Sequence, residues 1–539
     1  MTFTVEATFA AMSSRAFALA LLGLVLVAIS GSVLDVMEVD AAQYASMSRD
    51  MLTSDDWLQL HHRGQDYLDK PPLLFWLSAL SFKLFGVHNW SYKLPSILFA
   101  FFGILATYRF SVLHYTKEIA RTAALMFGGS AAFLLMTNDV RCDTILTGSV
   151  ITAIWLGSAW IEQRRWWQLI GCAVAIASGM LVKGPMGAVA PLLVLGGEVL
   201  FRRKWDVFHD VRLYLLPLIV AALLVPMCIG LYEQHGLHGI RFYFWEQSFG
   251  RITGENKWKD DSSPFFFTHE VLWQTLPWTL FVLAGLWRSV VAIAKREALK
   301  EYASVTGSLL VFVALSLSQF KLPHYLYVIV PLFAVQGAVG WQGIDRQWIR
   351  NVQWTLLALL YAGVLFVVVS IDAADVLPWI IACTAAMLVL GWATREQAPM
   401  QRLFSNSISI WLIAAALINV CFYPRLLGYQ ANAQAGRWAA AQGLAHDRFF
   451  GLQVSGTALD FYAGHPVQWL SNMDEVRSVI APGVVIYTDR RWRDELIGAG
   501  LVPVRDTILP NYEVQLLGID ILLPATRHHA LQERHLLRY

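Results

Sequence analysis

Charge is scarce in this chain: Asp, Glu, Lys and Arg together make up only 15% of its 539 residues, against about a quarter in soluble domains. Hydrophobic residues make up 56% and the mean hydropathy is +0.49, so a soluble enzyme is excluded. Cysteine is scarce as well. The five present, Cys142, Cys172, Cys228, Cys383 and Cys421, lie in or at the ends of apolar stretches, and the polar tail has none. That distribution excludes a disulfide framework and a thiolate metal site. No basic run offers a surface for nucleic acid, and neither an internal repeat nor a low-complexity linker is present. The net charge of +2 carries no information about partners, because in such a chain the placement of charge outweighs its sum.

Apolar sequence fills the space left by charge. Thirteen stretches lie near residues 16–34, 93–112, 120–137, 143–161, 166–182, 185–201, 213–231, 271–287, 303–319, 322–341, 352–371, 376–394 and 405–423, none with an ionisable residue near its middle. About 30 Å of hydrocarbon requires roughly 20 helical residues at about 1.5 Å each, and only helices close every backbone hydrogen bond there. The expected fold class is therefore an all-α polytopic membrane protein of about 13 transmembrane helices over residues 1–423, followed by a small C-terminal domain over 424–539. The first stretch follows Arg15 without a small-residue cleavage site and reads as a retained span.

Orientation follows from the loops. One alternating set is short and basic, with Lys117 and Arg121, Arg164 and Arg165, Arg202, Arg203, Lys204 and Arg212, Lys295, Arg296 and Lys300, Arg346 and Arg350, and Arg395 and Arg402. The positive-inside rule puts this set and the N-terminus in the cytoplasm and the C-terminal domain outside, across a plasma or inner membrane. The other set comprises the first external loop (35–92), the turns near 138–143, 183 and 321, the segment 232–270, and the tail. Within the first loop, Pro71 to Phe85 is apolar but too short to span and reads as an interfacial or re-entrant helix.

Residues capable of chemistry collect on the external side: Glu38 and Asp40, Asp69 and Lys70, Asp139 and Asp143, Lys183, Arg241 and Arg251, His269, and Lys321. They sit at the ends of spans, where the cost of placing a charge in the membrane fades, so they can line a cavity near the surface.

The strings around them resemble the PMT-like family of GT-C glycosyltransferases, in particular the bacterial branch with the lipid A aminoarabinose transferase; dolichyl- and polyprenyl-phosphate-mannose protein mannosyltransferases are related to it. The resemblance rests on "DAAQYA", "TSDDWL", "YLDKPPLLFW" and "GVHNWSYKLPS" in the first loop, then "KGPMGAVAPLL", "LPW" at Leu276 to Trp278, and "LSQFKLPHYLYVIVPL". One departure is Ala41, where the family usually has Glu; Glu38 is the candidate to stand in.

The resemblance implies an inverting transfer of one sugar from a polyprenyl-phosphate carrier, at the external membrane face. The acceptor is a lipid A-like glycolipid, a protein or a glycan, and membrane lipid is a further partner. Asp40 is the candidate base for the acceptor hydroxyl, Lys70 the candidate cation for the leaving phosphate, and Asp143 a second important carboxylate. Glu38, Tyr44, Lys183, Arg241, Arg251, Lys321 and Tyr325 are the candidates for substrate binding, and Asp69 with His269 for a divalent metal ion. Two rivals remain open. A lipid-linked sugar transporter or flippase fits less well, since such proteins carry repeats and midplane charges that are missing here. A lipid-linked glycan polymerase or ligase shares the span count and external carboxylates.

The tail reads as a small external α/β domain. "NAQAGRWAAAQGL" and "MDEVRSVI" have helical spacing, and "FFGLQV", "PVQWL" and "GVVIYT" are strand-like runs. No catalytic motif stands out in it.

Overall fold

The computed structural model describes residues 13–247, 250, 262–342, 346–371, 375–454 and 456–539. The chain is mostly helical up to residue 441, and its strands gather mainly beyond it. The first helices in chain order are α1 (Ser14–Ser32), α2 (Asp40–Ser54), α3 (Leu73–Phe85), α4 (Asn89–His114), α5 (Lys117–Gly128), α6 (Ala131–Asn138), α7 (Cys142–Gln163), α8 (Trp166–Lys183), α9 (Met186–Phe201) and α10 (Leu215–Arg241). Among the described residues eight helices are long and apolar enough to cross a membrane, or nine if α5 and α6, bent by 51° at their junction, form one span. The bend falls on Gly129 and Ser130, whose hydroxyl accepts from Phe133 N–H and starts a new helix. Five further apolar helices are shorter, among them α3 and α9.

Burial follows what each helix faces. α1 exposes Leu19, Leu22, Leu26 and Ile29, as a helix does when its neighbour is lipid rather than protein. α7 is the opposite case, buried along nearly its whole length between α4 and α8. Its close approach to α4 needs a small residue, since a Cβ on Gly148 would lie 2.3 Å from the Phe99 carbonyl oxygen. α3 begins directly after Pro71 and Pro72 and packs between α2 and α4, burying Leu74, Phe75, Ala79 and Phe82. At 13 residues it falls short of the length of a span.

The tail holds a five-stranded sheet in the order Gln468–Leu470, Phe449–Leu452, Val485–Asp489, Gln532–Arg538, Arg505–Asn511. The first three strands are parallel and the last two join antiparallel. Alternation along the central strand sends Val485 and Tyr487 to one core and Ile486 to the other, so both faces are covered. Helix Ala431–Ala441 lies on the first face and helices Met473–Val479 and Arg490–Gly498 on the second. The strands Arg505–Asn511 and Gln532–Arg538 have no clean apolar alternation in sequence and were missed there; they form because they pair with each other over seven positions and Gln532–Arg538 pairs in turn with Val485–Asp489.

Candidate functional site

Five segments bring polar side chains to one cavity, and local sequence explains each. Asp40 is the first residue of α2, and Tyr44 follows one turn later on the same face. Lys70 precedes Pro71 and Pro72, which start α3. Arg141 caps the start of α7 and Asp143 sits in its first turn, where a negative charge suits the helix dipole. Lys183 ends α8; Gly184, at φ +70°, turns the chain so that Pro185 can begin α9. Leu322 is extended before Pro323, and the turn Pro323–Ile329 then presents His324 and Tyr325.

Together these residues line a cavity of about 170 Å³ whose other wall is apolar, with Leu146, Met186, Val189, Leu315 and Val328. Its charges are arranged in pairs. Lys183 donates to Asp143, which is almost fully buried, and lies 3.9 Å from the centre of the Tyr325 ring. His324 Nε2 stands 3.7 Å from the other Asp143 oxygen. Arg141 bridges two carboxylates, with Nε 2.7 Å from Asp139 and Nη1 3.1 Å from Asp40. Asp139 holds the Arg141 guanidinium above its ordinary range. Asp40 keeps 45% of its side chain exposed, so one face of its carboxylate stays open to the cavity. Burial alone would push the Lys70 ammonium down, but the Asp69 carboxylate 2.6 Å away reverses this and holds Lys70 above its ordinary range. Gln247, also on the wall, donates to the Asp69 carbonyl.

Of the residues singled out in the sequence, Asp40, Tyr44, Lys70, Asp143, Lys183 and Tyr325 line this cavity. Others lie elsewhere. Glu38 is half-buried against the tail, where its carboxylate accepts from Asn432 and from the Ala458 N–H, and that burial pushes its carboxyl up. It does not line the cavity that Asp40 faces, so it does not replace there the carboxylate missing at Ala41. Arg241 is largely exposed beside Glu246 at 3.2 Å. Lys321 is buried with its ammonium 3.2 Å from the Ser262 carbonyl. Arg251 lies outside the described residues. Asp69 is engaged by Lys70, and His269 by Glu270 at 3.0 Å. Among the described residues no three His, Cys, Asp or Glu gather as a metal group.

Arg141, His324 and Gln247 were not picked out from the sequence. Arg141 did carry a signal, as a lone cation in the acidic turn "TNDVRCD". His324 and Gln247 carried none, since only the folded chain brings their turns to α7 and to Asp69.

Fold and cavity define a polytopic, mostly helical membrane protein with paired charges gathered beside an apolar wall at its span ends. Known proteins make the class more particular, for the chain is similar to the PMT-like GT-C glycosyltransferases. Residues 69–229 match the family described as dolichyl-phosphate-mannose-protein mannosyltransferase. The undecaprenyl phosphate-α-4-amino-4-deoxy-L-arabinose arabinosyl transferase 1 of Pseudomonas fluorescens is 25% identical over 57% of this chain and 54% of its own length. The corresponding transferase of Pseudomonas aeruginosa is 27% identical over 55% and 54%. The chain thus spans about half the length of these curated relatives. ArnT from Cupriavidus metallidurans bound to undecaprenyl phosphate superposes with a TM-score of 0.74 at 19% identity, covering 97% of this chain and 98% of that one, and so shares the fold.

Proposed function

We propose that this protein transfers a sugar from a polyprenyl-phosphate carrier to an acceptor hydroxyl at the external membrane face, in one inverting displacement. The observation that carries the reading is the cavity itself. A carboxylate with one open face, Asp40, shares it with the cations Lys70, Arg141 and Lys183 and with an apolar wall. An isoprenoid phosphate needs that combination, because its chain stays in hydrocarbon while its phosphate must meet charge. In this reading the acceptor oxygen attacks the anomeric carbon as its proton passes to Asp40, and the bond from that carbon to the phosphate oxygen breaks. Negative charge grows on the departing phosphate, which Lys70 and Arg141 stabilise more in the transition state than in the bound donor. Asp143, held by Lys183, orients sugar hydroxyls.

The donor named in the relatives, undecaprenyl phosphate-linked aminoarabinose, is the first to test, with a lipid A-like glycolipid as first acceptor and protein or cell-surface glycan as the others. The reading takes thirteen spans, and what supports it is the set of eight long apolar helices, the bent pair and four of the five shorter apolar helices, with α3 read as the interfacial helix. With the basic loops inside an inner membrane, the cavity and the tail face outward. Mass spectrometry of envelope glycolipids and glycoproteins with and without the protein tests the function. Loss of one sugar from one acceptor class is the expected result. An unchanged envelope with altered transbilayer distribution of a lipid-linked sugar favours the transporter instead.

A further inference from the structure

Asp40 is the first residue of α2, and among the described residues Arg141 is the side chain that holds its carboxylate. Its aim therefore depends on where the backbone at the start of α2 lies. Val39, at the N-cap, supplies no side-chain cap. The tail does the holding. Glu38 accepts from Asn432 Nδ2 at 3.0 and 2.9 Å and from the Ala458 N–H at 3.0 Å. The Glu38 N–H donates to Gln430 Oε1 at 2.9 Å, and the Thr457 hydroxyl donates to the Val39 carbonyl at 2.9 Å. Asn432 is itself fixed by the Tyr487 hydroxyl, 2.9 Å from its Oδ1, on the central strand of the sheet. The fit is close, since a Cβ on Gly456 would lie 1.8 Å from Asn432 Nδ2 and 2.7 Å from Glu38 Oε1.

Resting on the reading of Asp40 as the base, we infer that the C-terminal domain is a splint for that base, with Glu38 and Asn432 as positioning residues that act through the first turn of α2. Neither touches substrate. The tail sheet, Asn432, Glu38 and the peptide before Asp40 form one hydrogen-bonded line. A base displaced by about 1 Å loses on the order of a hundredfold in rate without losing the substrate. Donor binding, which rests on Lys70 and the apolar wall, is left alone.

The test uses the full-length protein in lipid nanodiscs with an undecaprenyl phosphate-linked sugar. Glu38→Gln sets an amide donor against the Asn432 amide donor. It is expected to lower kcat by about 10- to 100-fold, with donor KM within about twofold of the parent. Adding Asn432→Asp reverses the polarity of the pair, keeps acceptors for Tyr487 and Ala458, and restores most of kcat. In an Asp40→Asn background Glu38→Gln adds little, because a positioning residue has nothing left to position. Thr457→Val, which removes an exposed contact, lowers kcat in the same direction and serves if Glu38→Gln fails to fold. Parental kcat in both Glu38→Gln and Thr457→Val overturns the inference, as does a loss that falls on KM, that the swap does not rescue, or that multiplies with Asp40→Asn. If Asp40→Asn itself turns over normally, the assignment of the base falls first and the splint with it.

Discussion

Replacing Asp40 by Asn tests the proposed chemistry most directly, because the structure separates its catalytic cost from its structural cost. Asn keeps the shape of Asp and an oxygen to accept from Arg141, so the 3.1 Å contact survives. Arg141 is not stranded, since its Nε remains 2.7 Å from Asp139. The lost Asp40 charge is 45% exposed, so the ion pair contributes at most about 1 kcal/mol to stability. What disappears is the proton acceptor. A positioned general base is worth about 10²- to 10⁴-fold, or about 3 to 5 kcal/mol of transition-state stabilisation at about 1.4 kcal/mol per decade. The assay is single-sugar transfer from radiolabelled undecaprenyl phosphate donor in proteoliposomes, with carrier binding measured separately. The expected result is a kcat lower by two to four decades with carrier affinity and thermal midpoint close to the parent. Turnover within about threefold of the parent refutes the assignment of the base; a phosphate acceptor, which needs no base, then becomes the reading to test.

Other outcomes follow from the same geometry. Lys70→Ala is expected to weaken carrier binding or cleavage by about a hundredfold while leaving preference among sugars unchanged, and altered sugar preference at parental carrier affinity counts against the phosphate contact. Because Asp69 holds Lys70 above its ordinary range, the lysine stays charged as pH rises; an alkaline limb below about pH 9 that vanishes in Lys70→Arg contradicts this pairing. Lys183→Met takes from the nearly buried Asp143 the cation that donates to it, leaving only His324 at 3.7 Å among its described partners, and is expected to cost about 3 to 5 kcal/mol in unfolding measurements, part of it regained when Asp143→Asn is added; equal stability of the single variant removes the pair from the account. Because Lys70 engages Asp69 and Glu270 engages His269, chelation is expected to leave turnover within about twofold, and activity lost to a chelator and restored by a divalent ion refutes that expectation. Single cysteines at Asp56 and Ser471, in a background lacking native cysteines, are expected to react with an impermeant thiol reagent from outside, and those at Arg164, Arg203 and Arg296 only from within; labelling of Arg203 from outside separates the cavity from the compartment in which the donor is proposed to lie.

Sequence alone determined that this chain is a multi-pass membrane protein, because an apolar stretch of span length has no other stable solution in lipid, although the stretch near 271–287 is broken after Gln274 and its longer helix runs from Thr279 to Ala294. It also determined the segments that carry the cavity, since "DAAQY", "DKPP", "CDT" and "KGP" are short-range devices whose turns and helix starts are decided within a few residues. Tertiary structure alone decided which charges are paired. Arg141 meets Asp40 across 101 positions and Lys183 meets Asp143 across 40, and neither distance is encoded in a local pattern. It also decided the fate of Glu38. Two positions from Asp40 it looks like a second carboxylate for the same site, yet the backbone turn into α2 sends it to Asn432, 394 residues away. Hydropathy and turn chemistry act over one element and so are written in the string, whereas the partner of a buried charge is whatever the packed helices bring within about 3 Å, and only the folded chain specifies that.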